Sequence, residues 1–595
     1  MDLINQHNQL FAEFNSLQSF LNSYLIGCQD YKIVLTSQIE QSAPTQILKE
    51  SHVLIIYSTI YIPLLRKSHT GFHLFSHQLF INDHSLFSTL SFKNFVDKIC
   101  QIENADSEHS ALFQQRVEQS QNTIKHLLYS QKNKLSHARS FEDLSFKNTE
   151  QTLIFGHFAH PYPKLQEYKS QGPDMPSELE ESLNLQWCLV KKSILQSEHS
   201  YFYQSSDVAG ILKSTYLSEI QSSAILDDIN EDYALFPFHP FQYQMLKNDE
   251  HIEKYLNDKK IIPLDSDSIL SSWIPTTSLR TIYNEKSEWM LKFSLNIRLT
   301  NSVRILQDNE VKRGIQIHEV FESTAGKAML EEKEINPFSM IHEPLFLAIK
   351  DEDNNILKNT IVIFRQNPFY KTDNNDSICL AALTQLGSDN ITPLVCKIIS
   401  KISKQAEETY ETSAHKWFEA FLDTAVIPLV LLQARHGIYL GAHQQNLIIK
   451  LNANNFPEKS FYRDCQGSGY SALGFEKFKT HSPSLNNPNG NVLPVDFANS
   501  LMGYYLFINS TLYTIKTIAS GDIELEKLFF KTFANKLLSL THLNDHSFID
   551  YILKSESILI KDNFECCLKN INENTIDNPL KIYKKMINPF FQGEE

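Results

Sequence analysis

Near the start of the chain, Leu10, Phe11, Phe14, Leu17, Phe20 and Leu21 recur at helical spacing with polar residues between them. That period lines the apolar side chains along one helix face, and the natural use of such a stripe is burial in a core. The pattern changes at Val53 to Tyr61, a β-branched and aromatic run that reads as strand. Ser107 to Asn148 is highly polar and predicts a solvated helix. Residues 1–145 are therefore expected to be mainly helical, with strands interrupting.

Gly156 to Gly172, with Pro161 and Pro163, predicts a loop, and Leu183 to Ser197 predicts a helix. Pro237 and Pro240 keep Phe236 to Gln244 from being regular throughout. Strands are expected from Ile269 to Thr300, where Trp289, Leu291, Phe293 and Leu295 alternate with Met290, Lys292 and Ser294. A helix should follow from Ser302 to about Ser323, capped by Thr300 or Asn301. Asp351 to Asn355 and Thr372 to Ser377 read as turns, and Val395 to Gln433 as helix in two pieces divided near Pro428. His481 to Asn491 is a Pro/Asn/Ser-rich loop, and helices return from Phe497 with a fresh start near Asp522. Helices and strands mixed in this way predict an α+β chain, and 595 residues allow roughly three to five domains of about 100–200 residues each.

Hydrophobic residues make up 42% of the chain, which excludes a disordered or fibrous class. A net charge of −15 argues against general nucleic-acid binding, which needs a basic footprint. No two of the eight cysteines form a CxxC, so they read as ordinary thiols of a reducing compartment. The N-terminus lacks the features of a secretory signal, and the longest apolar run, Ala425 to Leu432, is too short to cross a bilayer. A soluble cytoplasmic protein without membrane partners is expected.

The candidate chemistry is densest from His436 to Gly467. His443 and Asn446 precede the apolar run Leu447 to Ile449, and Asp464 follows the next strand-like pair, Phe461 and Tyr462. An Asn carbonyl and an Asp carboxylate are hard oxygen donors that suit Mg²⁺. The order is similar to the catalytic half of kinases, where a loop Asn and a later Asp hold the metal. A polar surface loop accounts for this segment equally well. Upstream, Ser278, Arg280 and Thr281 offer hydroxyls and a guanidinium fitted to phosphate. Lys292 sits mid-strand, either on an exposed sheet face or holding an anion, and Arg298, Thr300 and Arg304 follow closely. His157, His160 and Lys164 cluster around Pro161, which suits carboxylate or phosphate better than zinc. Gly467 to Ala472 matches G-x-G-x-x-A but lacks an evident following helix and a βαβ frame, so it is set aside as a dinucleotide site.

The motifs occur in the order of one family. Gly156-His157-x-x-His160-Pro161-x-x-Lys164, Phe238-His239-Pro240-Phe241-Gln242, Ser278-x-Arg280-Thr281, Lys292 with Asn296 to Arg304, Ala442-His443-x-Gln445-Asn446, Arg463-Asp464-x-x-Gly467 and Asn578-Pro579-Leu580 resemble the IucA/IucC-type, NRPS-independent siderophore synthetases. The resemblance implies a multidomain α+β cupped hand. It divides into a mainly helical thumb (1–145), mixed fingers with phosphate-binding strands (146–375) and a helical, kinase-like palm (376–595). It implies adenylation of citrate or a citrate-like polycarboxylate with ATP and Mg²⁺, then condensation with an amine, for example putrescine, or an alcohol, in a homodimer. Ser278, Arg280, Thr281, Lys292, His443, Asn446 and Asp464 would bind ATP, with Asn446 and Asp464 on the metal. His157, His160, Lys164, Thr300, Arg304 and Gln445 would hold the carboxylate, and Lys292, Arg304 and His443 would be catalytic. Two positions depart from the family pattern: Gly441 stands where Glu is usual, and Gln166 where Arg is usual, with Lys169 nearby. A small-molecule kinase and a non-catalytic polycarboxylate-binding member remain as alternatives.

Overall fold

Apolar stripes and β-branched runs assemble here into several sheets wrapped by helices. The computed structural model describes residues 2–39, 43–84, 86–130, 144–167, 182–203, 232–264, 272–300, 302–371, 376–387, 391–486, 490–571, 576 and 578–591. The first stripe forms the helix Asp2–Gly27, which buries Leu17, Phe20, Leu21 and Tyr24 against Phe113 and Val117 of the helix Ser107–Ser130. The chain between these two helices forms an antiparallel sheet of six strands, so this region holds more strand than its apolar spacing suggests. The run Val53 to Tyr61 is two strands, His52–Ile56 and Ile60–Arg66, because Tyr57 and Ser58 turn the chain at φ 47° and 57°.

The sheet that positions the site runs in the order Ile274–Pro275, Thr281–Tyr283, Trp289–Phe293, Val362–Gln366, Leu345–Ile349, Leu195–His199. All of its pairings are antiparallel, and Lys292 lies opposite Thr281 on one side and Ile363 on the other. Both faces of Trp289–Phe293 are buried. Trp289, Leu291 and Phe293 enter one apolar cluster and Met290 another.

The expected helix at Leu183 to Ser197 is instead the strand Gln186–Lys191, a 3₁₀ turn Lys192–Ile194 and the strand Leu195–His199. Trp187, Cys188, Leu189 and Val190 are all buried, and a strand covered on both faces loses the alternation that separates it from a helix. The helix expected from Ser302 begins at Asp308, where Gln307 and Glu310 form a capping box. Thr300, at φ 54°, instead turns the hairpin between Arg298–Leu299 and Ser302–Val303, and Asn301 lies outside the described residues. Most of the expected turn at Thr372 to Ser377 also lies outside them.

The C-terminal half pairs a four-stranded sheet (Phe338–Met340, Pro457–Tyr462, Leu447–Leu451, Ser377–Cys379) with a large apolar core of helices. The break expected at Pro428 is a wide π turn, Leu422–Val426, which passes straight into Ile427–His436. Proline has no N–H to give and crowds the carbonyl one turn back, and a widened turn relieves both. The actual chain reversal comes at Glu407, in the left-handed region. The segment Tyr410–His436 is long and apolar enough to cross a membrane, but 83% of its most apolar window is buried inside the protein, as befits a core helix. Asp522 caps the helix Ile523–Leu538 as expected, while the antiparallel pair Ser557–Lys561 and Tyr583–Ile587 adds strand to a region expected to be helical. A helix, Ala472–Phe478, does follow the Gly467 to Ala472 motif. The motif's own strand, Ser468–Tyr470, pairs antiparallel with Ile438–Leu440, so no βαβ unit forms.

Candidate functional site

Every site residue expected from the sequence except Thr281 lines one cavity of about 400 Å³. Ser278 and Arg280 come from the turn before Thr281–Tyr283, and Lys292 from the neighbouring strand. Thr300 sits at the turn of the hairpin formed by Arg298–Leu299 and Ser302–Val303, Arg304 follows it, and His157, His160 and Lys164 belong to the proline-rich loop. His443, Gln445 and Asn446 occupy the turn before Leu447–Leu451, and Asp464 follows Pro457–Tyr462. Thr281 is fully buried between strands, and its Oγ1 meets neither the cavity nor a partner. Its expected role in binding is therefore corrected to a place in the sheet opposite Lys292.

Lys292 is 1% exposed, so its charge must be met inside the protein. Its Nζ reaches Asp464 Oδ1 at 2.6 Å and Glu343 Oε1 at 3.2 Å. Glu343 also accepts from Arg365 Nε at 2.8 Å. Lys292 and Arg365 hold the Asp464 carboxyl far below the usual carboxylate range despite burial. Asp464 sits at φ 85°, a conformation rare for a residue with a Cβ, and Tyr462 Oη donates to its carbonyl at 3.0 Å. Strain of this kind gathers at functional sites.

Arg463 points away from Asp464 into the protein. It donates to Glu150 Oε2, Thr277 Oγ1 and the Gln445 carbonyl, each at 2.8 Å. Gln445 Nε2 in turn donates to the Thr277 carbonyl at 3.0 Å. One buried guanidinium thereby ties the His443–Asn446 turn to the Ser278 turn. Arg304 is steered by the Leu299 carbonyl at 3.3 Å and Thr300 Oγ1 at 3.4 Å.

The histidines act here as neutral donors. Burial pushes the His443 imidazole down to about 4, so at neutral pH it offers an N–H and not a positive charge. In the proline-rich loop, the backbone N–H of Ala159 donates to His157 Nδ1, and that of Tyr162 to His160 Nδ1, both at 3.1 Å. A neutral imidazole that accepts at Nδ1 carries its proton on Nε2. Each Nε2 in turn meets a protein group: Asn509 lies 2.9 Å from that of His157 and Cys567 Sγ 3.6 Å from that of His160.

Mg²⁺ is the metal the motifs imply. Asp464 is ionised, and Asn446 is held in the cavity wall by its Nδ2 donating to the Gly441 carbonyl at 3.4 Å. Among the described residues no cluster of three or more His, Cys, Asp or Glu could enclose a metal. Two hard oxygens with the remaining positions left to phosphate and water fit the way Mg²⁺ is usually held.

Several lining residues carry no motif. Lys561 ends the strand Ser557–Lys561, Asn563 begins the helix Asn563–Leu568, and Tyr504, Tyr505 and Asn509 come from the π segment Gly503–Leu512. Ser510 of that segment donates to the Ala442 carbonyl at 2.7 Å, docking it on the His443 turn. Glu343 and Arg365 are not evident as site residues in the sequence, and Arg463 enters there only as the first residue of a motif. Two quoted motifs stand apart from the cavity. Gln242 holds the Asn296 N–H at 2.8 Å and His239 is buried, while Asn578 caps its own short turn. Gln166 lines the cavity, and Lys169 lies outside the described residues.

Six cationic side chains reach the cavity (Lys164, Arg280, Lys292, Arg304, Arg365, Lys561), with the Arg463 guanidinium turned into the protein behind it, against one carboxylate among the described residues, Asp464. Glu343 and Glu150 offset Arg365 and Arg463 from behind. The surplus suits a polyanionic ligand, or two anions brought together.

Comparisons with known proteins agree with this arrangement. Residues 145–385 match the IucA / IucC family, and residues 415–576 match a family described as ferric iron reductase FhuF-like transporter. The chain is 31% identical over 552 residues to an N(2)-citryl-N(6)-acetyl-N(6)-hydroxylysine synthase of Vibrio mimicus, covering 90% of each. It is 25% identical over 611 residues to a spermidine-citrate ligase of Bacillus anthracis, covering 98% of each. The fold superposes on ATP-bound aerobactin synthetase IucA from Klebsiella pneumoniae with a TM-score of 0.84 at 24% identity, over 97% of this chain and 99% of the other. With such identity sustained along nearly the whole length and the motif residues converging on one cavity, the chain belongs to the IucA/IucC family of siderophore synthetases.

Proposed function

We propose that this protein is an ATP-dependent siderophore synthetase that adenylates a carboxylate of citrate, or of a citrate-like polycarboxylate, and joins it to an amine or alcohol, releasing AMP and pyrophosphate. The observation that carries this reading is the surplus of cations around a single carboxylate in the cavity. In the first step a carboxylate oxygen attacks the α-phosphorus and pyrophosphate leaves. Two anions must approach, and Lys292, Arg280 and Arg304 offset their repulsion and the charge that builds in the transition state. Asn446 and Asp464 would hold Mg²⁺, which when bound neutralises phosphate charge. Neutral His443 donates a hydrogen bond to phosphate, Lys164, Thr300 and Gln445 seat the carboxylates, and His157 and His160 shape the wall beside them. In the second step the amine nitrogen attacks the acyl carbon and AMP leaves. The reaction needs no enzyme nucleophile, and most of its acceleration comes from positioning and fixed charge.

The proposal extends to a cupped hand of thumb (1–145), fingers (146–375) and kinase-like palm (376–595), to a homodimer, and to a cytoplasmic location. Relatives named for spermidine and for L-2,3-diaminopropanoate support an amine as nucleophile, and putrescine is the first to test. A small-molecule kinase is the second reading, favoured by the Lys292–Glu343 pair beside Asn446 and Asp464. Incubation with MgATP, citrate and a panel of amines separates them. Citrate-dependent AMP and pyrophosphate support the synthetase, ADP supports the kinase, and ligand binding without turnover would leave a non-catalytic member of the family.

A further inference from the structure

Asn509 is 3% exposed, lies on the π segment Gly503–Leu512 and lines the cavity. Its side-chain amide faces His157 Nε2, with Nδ2 placed 2.9 Å away. The Ala159 N–H commits His157 Nδ1 to accepting, so the proton of this imidazole is on Nε2. Two donors then face each other across 2.9 Å. The conflict resolves when the amide turns over, since its oxygen and nitrogen ends have nearly the same shape. Oδ1 then accepts from His157, and the amide NH₂ occupies the other end of the side chain.

Asn563 provides a contrast at the same loop. Its Nδ2 donates to the Ala159 carbonyl at 2.9 Å, a partner that can only accept, so its orientation is set the other way. Two buried asparagines thus bracket the loop that carries His157 and His160, one by its oxygen and one by its nitrogen.

We infer that Asn509 is a further substrate-positioning residue, which His157 orients so that its amide NH₂ donates a hydrogen bond to an oxygen of the polycarboxylate. This rests on the synthetase reading above and names a residue outside the family motifs. A neutral donor fits this role, because it binds a carboxylate oxygen without adding another charge to an already cationic wall. A π segment in place of a regular helix brings Tyr504, Tyr505 and Asn509 to the same cavity, in keeping with the recurrence of π turns at functional sites.

The test combines two measurements on the full-length protein. Asn509→Leu should raise the KM for citrate about tenfold or more while leaving the KM for ATP within about twofold, because one hydrogen bond to an anion is lost. Asn509→Ala serves for the same comparison if leucine does not pack. Nitrogen NMR of histidine-labelled protein, with His157 assigned by its absence in His157→Gln, should show the Nε2–H tautomer. A variant that folds and keeps the wild-type citrate KM would overturn the inference, as would an Nδ1–H tautomer at His157. A wild-type enzyme that forms no citrate-dependent AMP would instead count against the synthetase reading itself.

Discussion

Replacing Lys292 by methionine tests the buried charge network at the floor of the cavity. Lys292 is 1% exposed and stands between two carboxylates, Asp464 at 2.6 Å and Glu343 at 3.2 Å. Methionine fills much of the volume but leaves Glu343 to Arg365, and Asp464 to the more distant Arg365 and Arg280. Breaking a buried pair by removing one partner costs about 3–5 kcal/mol. A cost of that size should lower the urea midpoint at neutral pH clearly. The sign with pH follows from Asp464, whose carboxyl Lys292 holds far below its ordinary range. A depressed carboxylate contributes stability that is present above its unfolded value, near 3.9, and lost as pH falls toward the folded value. The gap between variant and wild type should therefore be full at neutral pH and narrow only in strong acid. Losing one cation at a developing anion should also slow adenylation about 10²–10³-fold. Glu343→Gln in the Lys292→Met background should recover part of the stability and none of the rate. A Lys292→Met protein as stable as wild type, with AMP release within about threefold, would refute the reasoning.

Arg304→Ala should raise the citrate KM about tenfold or more with little change in the ATP KM, measured by pyrophosphate release; an effect confined to ATP would reassign the residue. Gly156→Ala should destabilise the protein by more than about 1 kcal/mol and weaken citrate binding. Gly156 has φ +72°, and a Cβ there would lie 2.8 Å from the Pro163 carbonyl in the His157–Lys164 loop. Gly441→Ala should fold normally, since a Cβ at 441 would stand 3.5 Å from the Gly467 carbonyl and 3.7 Å from Tyr505, ordinary contact distances; a large loss of stability would contradict that geometry. Burial holds His73 and His239 down to about 3 and His318 and His443 to about 4, so protonation in the unfolded chain opposes folding below about 6.5. Asp562 and Glu526, raised by burial to about 6, act in the opposite sense between their ordinary values and 6. The histidines outnumber them, so urea midpoints should fall from pH 7.5 to 5.5, and a rise would show the acids dominate.

Much of the site is legible in residue types because its chemistry demands them. A lysine inside an apolar strand needs an anion, and Lys292 has two. An Asn before one strand and an Asp after the next end up on a common wall because Leu447–Leu451 and Pro457–Tyr462 pair antiparallel. Thr281 misleads because a hydroxyl beside Arg280 looks the same in sequence whether it faces the cavity or the sheet interior. Glu343 and Arg365 stay hidden because their meaning arises only when the segment before Leu345–Ile349 and the strand Val362–Gln366 bring them to the Lys292 strand. The same holds for Lys561 and Asn563, far in sequence from the motifs that line the cavity, which tertiary packing alone places there. Gln186–Lys191 resembles a helix in sequence because burial on both faces removes the two-residue alternation.

In the proposed reaction a carboxylate of the polycarboxylate attacks the α-phosphorus of ATP. Citrate labelled with oxygen-18 in its carboxylates tests this directly. With MgATP, an amine acceptor and this protein, adenylation followed by acyl transfer must leave one labelled oxygen in the AMP released. Label in AMP, in proportion to amide formed, is the predicted result. Label in inorganic phosphate with ADP as the nucleotide product, or unlabelled AMP, would contradict it.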